Sequence, residues 1–386
     1  MSKRLMIALG ILSSVFFLST PKVTRADDEG SVLKGLKAIH TLASTVPTNG
    51  DVNPYGVFEV KSSVGNLTAG HILVSNFNAA SNLQGTGTTI VDIAPDGSMS
   101  PFAQIDAKTL PGTCTGGVGL TTALVVLRTG WVIVGSLPTT DGTAATAQAG
   151  CLIVLNSEGK PVETFFGSLI NGPWDMNVED GDPVAKLFVT NVLNGTVAAN
   201  GTVVRAGTVL RINLNVSEAH MPSIESMTVI GSGFSSRTDP AALVIGPTGV
   251  ALSASCWSAD EDDCPKGSEG SQRALYVADS LNNRIALIPD AANRTTSAGV
   301  GITLSSGGSL NDPLGLTVAP GGHILTVNGA DGFVTEITPR GQQIAKMLLD
   351  NSGMPPGSGA LFGLIFDADL GLVFVDDATN TLNVLK

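Results

Sequence analysis

The chain has 386 residues and a formal net charge of −12, long enough for one large core or two ordinary ones. Its acidic balance argues against nucleic acid and anionic membrane surfaces as partners, because like charge repels. Charged residues are otherwise sparse at 14%, while Gly, Val, Thr and Leu are plentiful, a composition that suits many short strands joined by turns.

The first element reads as a leader. Lys3 and Arg4 precede a short apolar stretch, Met6 to Leu18, and Thr24 and Ala26 fit the −3 and −1 positions of a cleavage site before Asp27, Asp28 and Glu29. The stretch is too short to span a bilayer, and no later segment is long and apolar enough. A signal peptide over residues 1–26 and a single mature domain over 27–386 are expected, in the periplasm or outside the cell. Cleavage would remove Lys3, Arg4, Lys22 and Arg25 and no acid, which moves the charge from −12 to −16.

Next comes a strand-like run without a repeat of its own, LKAIHTLAS (Leu36–Ser44). Beyond it one pattern recurs six times. A strand-like run ends in a small polar residue: HILVSN (His71–Asn76), WVIVGS (Trp131–Ser136), KLFVTN (Lys186–Asn191), ALYVAD (Ala274–Asp279), HILTVN (His323–Asn328) and LVFVDD (Leu372–Asp377). Each follows a run with a Gly- or Pro-marked entry: Asn53–Val60, Gly116–Leu127, Gly172–Val178, Asp239–Ile245, Asp312–Val318 and Ala360–Phe366. A third run follows, such as TTIVDIAPDG (Thr88–Gly97), and all units but the last have a fourth, such as PFAQI (Pro101–Ile105). These runs are β-rich and bounded by Gly, Pro, Asn and Asp.

Repeats of this size cannot bury their apolar faces alone, so they must stack or close into a ring. The sixth unit lacks a fourth strand, and Leu36–Ser44 is a strand without a unit. Joining them covers the open edge. The fold expected is all-β: a six-bladed β-propeller with four-stranded antiparallel blades, its ring closed by the N-terminal strand.

The entry Pro-x-Gly-[Leu/Val]-x-Val, a second strand ending Val-Ala-Asp, and the Asn-x-Arg-Ile of LYVADSLNNRIAL (Leu275–Leu287) resemble the NHL-repeat six-bladed propellers. DPLGLTVAPGGHILTVN (Asp312–Asn328) carries the first two strands of that pattern. The resemblance implies architecture. Such propellers host lyases, lactonases and pure binding modules, so fold alone selects no activity.

Four cysteines in an exported chain suggest two disulfides with three pairings, of which the local pairs Cys114–Cys151 and Cys256–Cys264 are the economical choice. His71 and His323 share one repeat position, at the turn opposite the usual ligand face. Structural roles are expected for them and for His40 and His220. The endings Asn76, Asn191, Asp279, Asn328 and Asp376, with Ser136 in the second unit, set one residue per blade on the ligand face. Such oxygen-rich rings can hold Ca²⁺, though Asn and Asp also end strands because they suit turns. The acidic run Asp260–Asp263 is a second calcium candidate, set against the plainer reading of a solvated surface loop.

In the first strands one column reads Gly56, Gly119, Asp175, Ala242, Gly315 and Gly363, and the preceding one Tyr55, Val118, Trp174, Ala241, Leu314 and Phe362. A carboxylate among small residues, beside three aromatics at the channel mouth, marks Asp175, Trp174, Tyr55 and Phe362 as candidate ligand-binding residues. The alternative is that the rings pack between blades and Asp175 caps a turn. The function expected is an exported, monomeric module that binds a small molecule or a protein, without nucleic acid or membrane insertion. The alternative is a calcium-dependent hydrolase or lactonase with its site at the channel mouth.

Overall fold

A computed structural model describes residues 30–216, 220–256 and 273–386, with the side chains of 255 and 256 excepted. The leader, the Asp260–Asp263 run and the Cys256–Cys264 pair therefore lie outside the described residues. From Ser31 onward the chain folds into six sheets.

Blade one pairs, in order, β2 (Val52–Glu59), β3 (Ile72–Asn78), β4 (Thr89–Ile93) and β5 (Met99–Gln104). Blade two holds β6 (Leu120–Val126), β7 (Val132–Ser136), β8 (Cys151–Leu155) and β9 (Pro161–Phe165). Blade three holds β10 (Pro173–Glu179), β11 (Val184–Asn191), β12 (Val204–Asn215) and β13 (Ser223–Asp239), with a short fifth strand, β14 (Leu243–Ile245). Blade four holds β15 (Pro247–Cys256), β16 (Arg273–Asp279), β17 (Arg284–Ile288) and β18 (Ile302–Ser306). Blade five holds β19 (Pro313–Val318), β20 (Ile324–Asn328), β21 (Phe333–Ile337) and β22 (Gln343–Leu348). Blade six holds β23 (Leu361–Asp367), β24 (Gly371–Asp376) and β25 (Thr381–Leu385), and β1 (Ile39–Ser44) pairs with β25 as its outer strand. The architecture is thus a six-bladed β-propeller.

The innermost strand of each blade touches those of both neighbouring blades, and β23 returns to β2, which closes the ring. Period-two alternation explains the core. In β3, Leu73 joins Val132 and Val134 of blade two in one buried cluster, while Val74 joins Val373 and Val375 of blade six in another. A middle strand is therefore apolar on both faces, and each fully buried Val, Leu or Ile contributes about 1.5–3 kcal/mol. The outer strand β22 faces solvent and is mostly exposed or half-buried.

Two innermost strands differ from the sequence reading. Blade four starts at Pro247, which pairs with Asp279 as Pro54 pairs with Asn76. The Asp239–Pro240 entry instead makes the turn where the 17-residue β13 folds back on β14. Thr248 and Gly249 therefore replace Ala241 and Ala242 in the two columns. In blade two Leu120 pairs with Ser136, and a longer bulge follows before Leu124 pairs with Val134. The column shifts from Val118 and Gly119 to the bulge residues Thr121 and Thr122.

Cys114 and Cys151 are joined by a disulfide, with Cα atoms 5.3 Å apart. Among the described residues, no helix is long and apolar enough to cross a membrane.

Candidate functional site

The innermost strands crowd one another where their bulges begin. A Cβ on Gly315 would lie 2.0 Å from the Phe362 carbonyl oxygen, and one on Gly363 would lie 2.2 Å from that of Tyr55. Glycine is needed there because the next blade's backbone fills the space. Asp175 occupies the equivalent place in blade three. Its Oδ2 accepts from Val250 N at 2.9 Å, and its own N–H donates to Thr190 Oγ1 at 3.1 Å. Burial pushes its carboxyl up to about 7, against hydrogen bonds from Val250 N, Met176 N and the Thr122 side chain. The group faces a cavity of about 80 Å³ lined also by Val57, Thr122, Leu316 and Leu364.

One residue earlier in each strand, the side chains look the other way. Tyr55 stacks on Phe362 with centroids 3.9 Å apart and on Phe77 at 4.4 Å, and Trp174 meets Tyr55 edge-on at 5.8 Å. Most of each ring is spent on packing, as Tyr55 is 1% and Trp174 3% exposed. Three of these rings, Tyr55, Trp174 and Phe362, also floor a larger cavity of about 400 Å³. Its walls come from loops that enter first strands or join second to third strands, so it opens at the channel mouth on the expected face. It shares no lining residue with the Asp175 cavity. The four candidate residues therefore divide: Tyr55, Trp174 and Phe362 meet at the mouth, and Asp175 lies beyond them along the channel.

The mouth carries polar groups that the column reading missed. Asp377 and Asp312 line it, with Asn53, Gln84 and Asp239. Burial, then the adjacent Asp376, pushes the Asp377 carboxyl up to about 7. Burial, then Asp239, pushes that of Asp312 up to about 6, while Arg237 pulls it back. Arg237 itself pairs with Asp239 at 2.8 Å. Asn53 is 4% exposed, and its Oδ1 has no hydrogen-bond partner among the described residues. Gln84 Nε2 donates to the Ala241 carbonyl at 2.8 Å, which leaves its buried Oε1 unpartnered. Asn53 and Asp312 also adopt left-handed backbone, with φ of 62° and 56°, a conformation that Asn and Asp tolerate better than other side chains.

The second-strand endings each serve their own blade's loops. Asn76 Nδ2 donates to Thr45 O at 2.9 Å, and Asn191 Oδ1 accepts from Asn171 N at 2.9 Å. Asp279 accepts from Arg284 Nε at 2.7 Å and Asn282 Nδ2 at 2.8 Å. Asn328 accepts from Asn311 N at 3.1 Å and donates to Asp331 at 2.9 Å, and Asp376 accepts from Thr379 N at 3.2 Å. Among the described residues, no group of three or more His, Cys, Asp or Glu could hold a metal ion. The paired histidines use one device twice: His71 Nδ1 lies 2.8 Å from Asp92 Oδ1, and His323 Nδ1 lies 2.6 Å from Glu336 Oε1.

No family model matches the chain, and no curated protein does. Among solved structures, the chain is similar to a gluconolactonase from Xanthomonas campestris, with a TM-score of 0.52 at 13% identity over 90% of this chain and 88% of that one. A streptogramin B lyase gives 0.48 at 13% over 90% and 97%. The calcium-binding protein regucalcin from Agrobacterium tumefaciens gives 0.49 at 12% over 89% and 92%. At such identities the likeness is one of fold.

Proposed function

We propose that this protein is a ligand-binding propeller that seats a small molecule in the mouth cavity. The observation that carries the reading is a cavity of about 400 Å³ floored by the Tyr55, Trp174 and Phe362 rings and walled in part by Asp239, Asp312 and Asp377. The size falls in the range of small-molecule sites, about 300–1,000 Å³. Export after cleavage of residues 1–26 and an NHL-type repeat belong to the same reading, and the Cys114–Cys151 bond is compatible with an oxidising compartment. The test is a fragment screen by ligand-observed NMR on the wild type and on Ala242→Trp, which fills the cavity wall. Hits should be lost in the variant, and hits indifferent to it would reject the site.

A second reading, a hydrolase or lactonase, is favoured by one observation. Asp312 and Asp377 face one cavity with carboxyls raised to about 6 and about 7, a range suited to general acid–base work. The similar Xanthomonas protein is a gluconolactonase. Oxygen donors at the mouth suit Ca²⁺ in kind, but the described carboxylates do not gather as a metal site, so no step is routed through an ion. Hydrolysis of glucono-δ-lactone, with and without calcium, tests this reading. Turnover that Asp377→Asn leaves unchanged would reject it.

A further inference from the structure

The charge of the mouth cavity has one sign. Its polar side chains are three carboxyls, those of Asp239, Asp312 and Asp377, the amides of Asn53 and Gln84, and the Ser358 hydroxyl, beside the polar ends of Tyr55 and Trp174. Among the described residues, no Lys, Arg or His lines the cavity. The nearby Arg237 is held by Asp239. An anion would be repelled by three carboxyls. A group that brings donors and a positive charge suits the three carboxyls.

We infer that the ligand is an organic ammonium ion, a primary or secondary amine carried on an apolar body. The inference rests on the mouth-cavity reading above and names its ligand class. The body is implied by the rest of the lining: the Tyr55, Trp174 and Phe362 floor, and a wall that includes Ala242 and Val244. About 400 Å³ is far more than a bare cation needs.

The acceptors are strained in the free protein in a way that a cation corrects. Asp377 faces Asp376 on its own loop, with Asp350 beyond, and Tyr55 from β2. Asp312 faces Asp239 and Arg237 from β13. Buried without a full counter-charge, both carboxyls are raised, Asp312 to about 6 and Asp377 to about 7. A bound ammonium favours their ionised forms, so binding releases protons and tightens as pH rises through about 6 to 7.

The experiment is calorimetric titration of the mature chain with phenethylamine and spermidine, against 2-phenylethanol and calcium chloride as controls. At least one amine should bind, about tenfold more tightly at about pH 8 than at about pH 5, with the alcohol about tenfold weaker than phenethylamine. Asp377→Asn and Asp312→Asn should each weaken the amine by about tenfold without lowering the melting temperature. Four outcomes overturn the inference: neither amine binds, the alcohol binds as tightly as phenethylamine, the carboxyl variants leave amine affinity unchanged, or calcium alone binds. If the alcohol binds and Ala242→Trp abolishes it, the cavity reading stands and only the ammonium ion fails. If nothing on the panel binds and the fragment screen is also empty, both fail.

Discussion

Asp175 sits where four other blades place glycine, at Gly56, Gly249, Gly315 and Gly363. Its carboxyl is raised to about 7 when folded, against about 3.9 in an unfolded chain. The folded state therefore holds the proton more tightly across that window. Its contribution to stability is fully present below about pH 4 and is lost as pH rises to about 7. Asp175→Asn keeps an acceptor for Val250 N and removes the titration, so at about pH 8 it should stabilise by roughly 1 kcal/mol or more, with the gain vanishing near pH 4. Thermal melts at the two pH values check this, and a loss of stability at both would instead make the ionised carboxylate a structural requirement. The sequence singled out Asp175 with Trp174, Tyr55 and Phe362, yet only the rings share a cavity. Successive residues of a strand point to opposite sides, and a single column cannot say on which side a bulge leaves them. Asp312, Asp377 and Asn53 were legible only indirectly, through Asn-Pro and Asp-Pro steps at strand entries and a second carboxylate after Asp376.

At the scale of elements, most of the propeller was legible because strand length, turn residues and small polar endings recur in register. Blade four was misread where local sequence mimicked the repeat: Asp239–Pro240 looks like the Asp312–Pro313 entry, but β13 runs long and consumes it in a hairpin with β14. Blade two departs for a different reason. Its bulge carries Thr121 and Thr122, and the Thr122 hydroxyl hydrogen-bonds the Trp174 carbonyl oxygen and the Asp175 side chain. That blade also holds the disulfide, which links the loop before β6 to the start of β8 across a sequence separation of 37. Such a link removes unfolded-state freedom worth about 2–4 kcal/mol. Replacing Cys114 and Cys151 together by serine should lower the stability of the whole domain by that order. Denaturant titration reads the midpoint, and an unchanged midpoint would show that blade packing alone holds the loop.

For the whole molecule the decisive region is the seam where its two ends meet. Ile39 pairs with Leu385 and His40 with Val384, and Lys37 N and Ala38 N both donate to the Lys386 carbonyl at 2.9 Å. Just before β1, the short helix α1 (Val32–Gly35) reaches blade five. Ser31 Oγ, Val32 N and Leu33 N all donate to the Glu336 carboxylate, at 2.5, 2.8 and 3.0 Å. Burial opposes ionisation of Glu336, but these bonds and the one from His323 together hold its carboxyl below the usual range. Stability from this anchor is present above about pH 4.5 and is lost as pH falls through the folded value. Glu336→Gln should therefore cost about 1–3 kcal/mol at neutral pH and narrow the gap between wild type and variant in acid. Removing residues 27–46 goes further. It takes away the anchor and β1, and leaves β25 as a bare edge with unpaired N–H and C=O groups. Because the innermost strands pack on those of the neighbouring blades, an incomplete sixth blade weakens the contacts of β23 with both β19 and β2, and the ring loses closure at once. The truncated chain should unfold without a cooperative transition, or aggregate through the exposed edge. Scanning calorimetry with light scattering distinguishes these from an intact domain. An unchanged melting transition would mean that three strands suffice for blade six and that the N-terminal strand is decoration on a ring already closed by its innermost strands.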